Sequence, residues 1–116
     1  MTMWKGSRIQ EVEVADAAEG SEHVVLLDVR NADEWDAGHA PSARWVPLAE
    51  LEGARFQLPI NRRIVCVCRS GVRSARATAE LVQMGFDAVN MAGGMQAWVA
   101  RGLPVVRDDG SPGEVI

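Results

Sequence analysis

The sequence has little of several features that would point to particular classes of protein. It contains one lysine, Lys5, so eleven of its twelve basic residues are arginine, and its formal net charge is −4. This acidic balance argues against nucleic acid as the main partner. No apolar run is long enough to cross a membrane, and residues 1–10 lack the apolar stretch of a secretory signal. We therefore expect neither a nucleic acid nor a membrane as partner.

Cysteine and histidine are also scarce. The two cysteines, Cys66 and Cys68, are one residue apart, and on a strand such neighbours point the same way but rarely reach disulfide geometry. His23 and His39 are far along the chain from each other and from the thiols, so no Cys/His spacing suits zinc. Free thiols without a secretory signal are typical of a reducing compartment, which predicts a cytoplasmic protein.

The length and composition are those of one globular domain. The chain has 116 residues, of which 47% are hydrophobic and 24% charged, and it contains neither an internal repeat nor a low-complexity segment. The last residues are polar and contain two glycines and a proline. We predict a single domain over residues 1–105 and a flexible tail over residues 106–116.

Alternating strands and helices predict the fold class. Val24–Val29 and Ile64–Cys68 are apolar runs broken only by Asp28, as expected for strands that are covered on both faces. Shorter strand candidates lie at residues 44–48 and 87–91, with an edge strand at Glu11–Val14, and helix candidates lie at residues 31–38, 74–84 and 93–102. This alternation predicts an α/β fold: a small, doubly wound, mostly parallel sheet of about five strands with helices on both faces.

Cys68 is the candidate nucleophile. It ends a predicted strand just before the helix that begins at Ser74, where open parallel sheets bind their ligands. The residues between, Arg69 to Arg73, include Gly71, and a tight curl there turns successive N–H groups inward as an anion-binding nest. Such surroundings lower the pKa of a cysteine from about 8.5 by ~1 to 5 units. Two arginines add charge for an anionic substrate, whereas Cys66 is interpreted as a small buried hydrophobe.

Three segments of the sequence, residues 26–48, 68–74 and 85–105, resemble the signature segments of the rhodanese family of sulfurtransferases. The resemblance implies that Cys68 takes a sulfane sulfur from a donor such as thiosulfate and passes it, as a persulfide, to a cyanide or thiol acceptor. It implies no metal and no organic cofactor, and it leaves an acceptor protein as a candidate partner. The backbone amides that would hold the sulfur belong to Arg69, Ser70, Gly71, Val72 and Arg73.

The resemblance also assigns supporting roles and shows departures. Asp28, Arg30 and Glu34 would form a structural ion-pair network, and His39 would be structural. Thiosulfate enzymes of the family often have a second cation where this chain has Ser70, which weakens the prediction of thiosulfate as donor. Mercaptopyruvate enzymes tend to have glycine directly after the cysteine, so Arg69 argues against that substrate.

Three alternatives remain open. A cysteine phosphatase of similar fold would need an arginine six residues after the cysteine, and Ser74 stands there, with Arg73 one place short. A non-catalytic or regulatory binding module of the same family is the second alternative. The third is a sulfur relay that uses both thiols, which would require Cys66 to be exposed.

Overall fold

Five parallel strands form the centre of the molecule in this computed structural model, which describes residues 9–18 and 23–116. Their order across the sheet is β1-β5-β4-β2-β3, so the chain starts at one edge and reaches the other at its third strand. The strands are β1 (Glu11–Val12), β2 (Val24–Asp28), β3 (Arg44–Trp45), β4 (Arg63–Val67) and β5 (Ala88–Met91). The predicted parallel α/β sheet of about five strands is confirmed.

The described chain forms four helices, α1 (Val14–Ala18), α2 (Ala32–Ala37), α3 (Val72–Gln83) and α4 (Gly94–Ala100), of which α1, α3 and α4 cover the two faces of the sheet. Two short 3-10 turns, Leu48–Glu50 and Arg55–Gln57, lie in the connection from β3 to β4. One apolar core joins α3 and that connection to the sheet, and a second joins α1 and α4 to the opposite face. Successive residues of β4 alternate between these cores, because neighbouring strand side chains point to opposite faces.

Several element boundaries differ from those the sequence predicts. The edge strand ends at Val12, because Val14 begins α1 and is buried there. The strand predicted at residues 44–48 is only Arg44–Trp45, and Pro47, two residues after its end, has no N–H to donate to a neighbouring strand. Helix α3 begins at Val72, two residues before the predicted start. None of the described helices is long and apolar enough to span a membrane.

The last eleven residues contact the domain. Val106 forms isolated antiparallel bridges with His39 and Pro112, and the Glu114 N–H donates to the Ala37 carbonyl at 2.9 Å. Val115 packs against the core beside α4. These contacts place residues 106–116 along the end of α2; the predicted domain bounds and the flexibility of the tail in solution stay predictions.

Candidate active site

Cys68 lies directly after β4, at the carboxyl end of the sheet. Its side chain is only 1% exposed, at the base of a loop of three residues that leads into α3. The neighbouring strands β2 and β5 run parallel to β4, so their carboxyl ends, Asp28 and Met91, lie at the same edge of the sheet. The predicted position of the candidate nucleophile is therefore the position that the fold gives it.

Three hydrogen-bond donors surround the sulfur of Cys68. The Gly71 N–H lies 3.1 Å from Sγ, and the N–H and the hydroxyl of Ser74 each lie 3.3 Å from it. Ser74 is the third residue of α3, where helix N–H groups have no partner within the helix. The sulfur thus accepts the hydrogen bond that a capping side chain would otherwise take.

The loop amides predicted to hold the sulfur are only partly engaged. Besides Gly71, the Ser70 N–H contributes to the stabilisation of the thiolate. In the part of the chain that the structure describes, Arg69, Val72 and Arg73 donate no N–H to Sγ, and their role in holding a persulfide stays a prediction. Sequence reasoning missed Ser74, although its place in the first turn of a helix after the cysteine is a usable signal.

These donors act on the pKa of the thiol. Burial disfavours the thiolate and by itself would raise the pKa of Cys68. The hydrogen bonds from the Ser74 hydroxyl and from the N–H groups of Ser74, Gly71 and Ser70 outweigh it, so the pKa lies below its ordinary value. The site favours a nucleophilic sulfur anion.

Two glycines allow the loop to take this shape. Gly71 has a φ of 109°, in the left-handed region that glycine adopts without steric cost. Gly94, at the start of α4, packs so closely that a Cβ there would lie 2.5 Å from the Cys68 carbonyl oxygen. The carbonyls of Cys68 and Arg69 accept hydrogen bonds from Met95 N–H at 2.8 Å and from Gln96 N–H at 3.0 Å. With these carbonyls held toward α4, the following N–H groups are free to face the sulfur.

The two loop arginines have different partners. Arg73 donates two hydrogen bonds to Glu34, with Nη1 and Nη2 at 2.6 and 2.7 Å from its carboxylate oxygens. This pair lowers the pKa of Glu34 and raises that of Arg73. Arg69 instead donates from Nε to the Ile116 main-chain oxygen at 3.0 Å. Its terminal nitrogens reach the Gln96 side-chain oxygen at 3.0 and 3.3 Å when that amide is turned toward them.

The remaining residues of the predicted ion-pair network form a separate, fully buried pair. The Arg30 guanidinium donates to both oxygens of Asp28, at 2.8 to 3.1 Å, and also to the Gly38 carbonyl at 2.8 Å. His39 stacks on Trp35 with ring centroids 3.5 Å apart, and its Nε2 lies 3.0 Å from Asp108. These contacts fix the segment between β2 and β3, and they support structural roles for Asp28, Arg30 and His39.

Cys66 is in a different situation. It is fully buried within β4 and, like Cys68, is a free thiol. Burial raises its pKa to about 12, although a hydrogen bond with Thr78 works in the opposite direction. Its burial within the strand together with its raised pKa argues against the sulfur relay, which required an exposed Cys66. Among residues 9–18 and 23–116 there is no group of three or more His, Cys, Asp or Glu side chains that could hold a metal.

Comparison with known proteins identifies the family. The model of the rhodanese-like domain matches residues 11–101, most of the chain. The chain belongs to the rhodanese-like family. The resemblance seen in the sequence is thereby confirmed, and with it the fold.

Relatives of the rhodanese-like chain include proteins named as sulfurtransferases. It is 38% identical over 91 residues to "Sulfurtransferase" of Allochromatium vinosum. This match covers 78% of this chain and 85% of that protein. It is 37% identical over 103 residues to "Probable adenylyltransferase/sulfurtransferase MoeZ" of Mycobacterium tuberculosis, covering 86% of this chain but only 26% of MoeZ. The chain thus spans about a quarter of the length of that relative. These names support a transferase of the rhodanese family.

A solved structure agrees with the fold. The crystal structure of a rhodanese-related protein from Thermoplasma volcanium superposes with a TM-score of 0.78 at 32% identity. The match covers 84% of this chain and 97% of that one. Most of this chain and nearly all of that protein therefore share one fold.

Proposed function

We propose that the protein is a thiosulfate sulfurtransferase that moves a sulfane sulfur from a donor such as thiosulfate to a thiophilic acceptor through a persulfide on Cys68. The observation that carries the proposal is the group of donors around one sulfur atom, from Gly71 and Ser74, on a short loop. No metal and no organic cofactor takes part in the proposed reaction.

In the first half-reaction the Cys68 thiolate attacks the outer sulfur of thiosulfate. A bond forms between Sγ and that sulfur, while the sulfur–sulfur bond of the donor breaks and its electron pair leaves with sulfite. The enzyme is left with a persulfide anion, whose terminal sulfur carries the charge. The loop donors that favour the thiolate favour this anion as well, because both are sulfur anions at the base of the same loop.

In the second half-reaction a nucleophilic acceptor attacks the terminal sulfur of the persulfide. The new bond joins the acceptor to that sulfur, and the electron pair of the broken sulfur–sulfur bond returns to Cys68 as thiolate. Cyanide is the acceptor in an assay, and a small thiol or an acceptor protein is the acceptor we propose in the cell, in the cytoplasm.

Arg69 is the better candidate for attracting the anionic donor. The charge of Arg73 is neutralised by the carboxylate of Glu34, with which it forms two short hydrogen bonds. Among the ion pairs of the described residues, by contrast, none joins an acidic side chain to Arg69. Its exposed guanidinium therefore supplies the positive charge beside the loop where sulfite would leave.

The length of the loop favours sulfur transfer over phosphatase chemistry. Phosphate needs a ring of donors wide enough for a tetrahedral anion, together with an arginine six residues after the cysteine. Here the sixth residue is Ser74, whose hydroxyl and N–H contact the cysteine sulfur itself. Donors this close to Sγ fit one added sulfur better than three phosphate oxygens.

Mass spectrometry of the protein after exposure to thiosulfate tests the proposal. We expect Cys68 to gain the mass of one sulfur atom, and cyanide to remove it. The Cys68→Ser variant is the control and should gain nothing. An activity panel with thiosulfate, mercaptopyruvate and an aryl phosphate completes the test. Aryl phosphate hydrolysis without a sulfur adduct would indicate a phosphatase instead. The absence of both activities would favour a non-catalytic binding module.

A further inference from the structure

Asn90 is a buried amide in an apolar part of the sheet. It is 1% exposed, and the other residues of β5, Ala88, Val89 and Met91, are all apolar and buried. Its Oδ1 atom is buried without a hydrogen-bond partner in the residues that the structure describes. A buried acceptor left without a partner is destabilising. Packing alone would therefore favour an apolar residue at this position.

The amide nitrogen of Asn90 is fully used. Nδ2 donates to the Gly71 carbonyl oxygen at 3.1 Å and to a carboxylate oxygen of Glu11 at 3.0 Å. Glu11 belongs to β1, which pairs with β5 opposite Asn90. The amide thus links the edge strand of the sheet to the loop after Cys68. Asn90 and Gly71 are 19 positions apart in the chain.

The loop residue that Asn90 contacts is the one that turns the chain. Gly71 donates its N–H to the Cys68 sulfur, and its carbonyl accepts the N–H of Ala75 at 3.1 Å as α3 begins. Glycine has more accessible backbone conformations than any other residue. A second hydrogen bond on its carbonyl restricts this freedom and keeps the φ of 109° that directs the N–H at the sulfur.

We propose that Asn90 is a positioning residue for the Cys68 loop, which fixes the Gly71 carbonyl so that the Gly71 N–H stays directed at Sγ. Glu11 holds the amide in the orientation that presents Nδ2 to the loop. The consequence for sulfur transfer rests on the function proposed above. The effect on the Cys68 thiol does not, since it concerns the protein before any substrate binds.

The test measures the thiol of Cys68 directly in the Asn90→Ala variant. The rate of alkylation by iodoacetamide is followed as a function of pH, with circular dichroism to verify folding. Cys66 is fully buried and its pKa is raised to about 12, so we expect it not to react appreciably near neutral pH. Because one donor to the thiolate is weakened, we expect the profile to move to higher pH and the rate below its midpoint to fall roughly five-fold.

Val89→Ala is the matched control. It removes buried apolar atoms from the same strand, but on the opposite face of the sheet. Among the described residues, no hydrogen bond joins Val89 to the loop after Cys68. The charged groups near the thiol, Arg69, Arg73 and Glu34, are unchanged in both variants. We expect Val89→Ala to lose stability but to keep the pH profile of the parent protein.

A folded Asn90→Ala variant with an unchanged profile would overturn the proposal, as would an equal shift in Val89→Ala. If Asn90→Ala does not fold, the Glu11→Ala variant tests the proposal instead. It keeps the Asn90 amide but removes the carboxylate that holds it, and we expect a smaller shift of the pH profile in the same direction. An unchanged profile in Glu11→Ala would then overturn the proposal. If the parent protein gains no sulfur from thiosulfate, the proposed function fails while the alkylation profiles still decide the role of Asn90.

Discussion

The two cysteines provide an internal comparison between the interior of a strand and the loop that follows it. Cys66 and Cys68 point to the same face of the sheet and belong to the same apolar core. Burial raises the pKa of Cys66 to about 12, whereas the pKa of Cys68 is lowered despite its burial. Both side chains are almost inaccessible, at 0% and 1% exposure.

The difference shows that burial by itself does not decide the pKa of a thiol. Within β4 the N–H groups are engaged in the sheet, so little is left to stabilise a charge at Cys66. After the last residue of β4 the chain curls into α3, and the N–H groups of its first turn are free to donate to Cys68. The position at the end of the strand thus lowers the pKa of Cys68 and makes it the better candidate for the nucleophile.

Exchange of each thiol is the most drastic test of this comparison. Cys68→Ser should abolish sulfur transfer from thiosulfate to cyanide while the protein stays folded, because a hydroxyl does not hold a sulfane sulfur. Cys66→Ala should keep most of the activity and cost ~1 kcal/mol of stability as a small buried truncation. Steady-state rates and denaturant unfolding measure both. A folded Cys66→Ala variant without activity would contradict the assignment of one nucleophile.

Lengthening the loop should remove what distinguishes Cys68 from Cys66. A glycine inserted between Gly71 and Val72 moves the N–H groups of α3 away from the sulfur, and the transfer rate should fall by ~10²-fold or more. A glycine inserted between Asp109 and Gly110, in an exposed turn, is the control and should have little effect. If the loop variant remained as active as this control, loop length would not matter for the reaction.

The Ser74 hydroxyl is the one side-chain donor to the sulfur of Cys68 in the described residues. Ser74→Ala keeps the N–H but removes this donor, so it should raise the pKa of Cys68 and slow alkylation near neutral pH roughly ten-fold. The pH dependence of iodoacetamide reaction measures the shift. Ser111→Ala, at a serine whose hydroxyl donates to Asp109, serves as control. An unshifted profile would mean that the backbone donors suffice.

Arg69 should affect only one half of the reaction. Arg69→Ala should slow persulfide formation from thiosulfate about ten-fold or less, since its charge attracts the anionic donor. Transfer from a preloaded persulfide to cyanide should be spared, and rapid mixing separates the two steps. Arg76→Ala, which removes an exposed arginine of α3, is the matched control. Equal slowing of both steps would indicate that Arg69 organises the loop instead.

The ion pair of Glu34 and Arg73 should give the smallest effect, on stability. The pKa of Glu34 is lowered in the folded protein, so its contribution is fully present above its ordinary value of 4.5 and is lost as pH falls through the folded pKa. Glu34→Gln should cost about 1 kcal/mol at neutral pH and nothing in strong acid. Denaturant unfolding across pH measures this, with the exposed Asp33→Asn as control. A difference that persisted in acid would exclude the ion pair as its cause.

The sequence by itself determined the sheet and the place of the candidate nucleophile. The apolar runs of β2 and β4 predict buried parallel strands, because a strand covered on both faces has apolar side chains at successive positions. A cysteine at the end of such a run, followed by a glycine and then a helix, predicts a thiol beneath free N–H groups. All of this depends on neighbours within a few positions along the chain.

Only the tertiary structure decided which groups complete the site. Glu34 and Arg73 are 39 positions apart, and Asn90 reaches Gly71 across 19, while α4 holds the carbonyls of Cys68 and Arg69 from a later part of the chain. Such contacts arise when parallel strands bring their carboxyl ends to one edge of the sheet. No local pattern marks a buried asparagine or a glutamate as belonging to a particular loop, since the partner is chosen by packing in three dimensions.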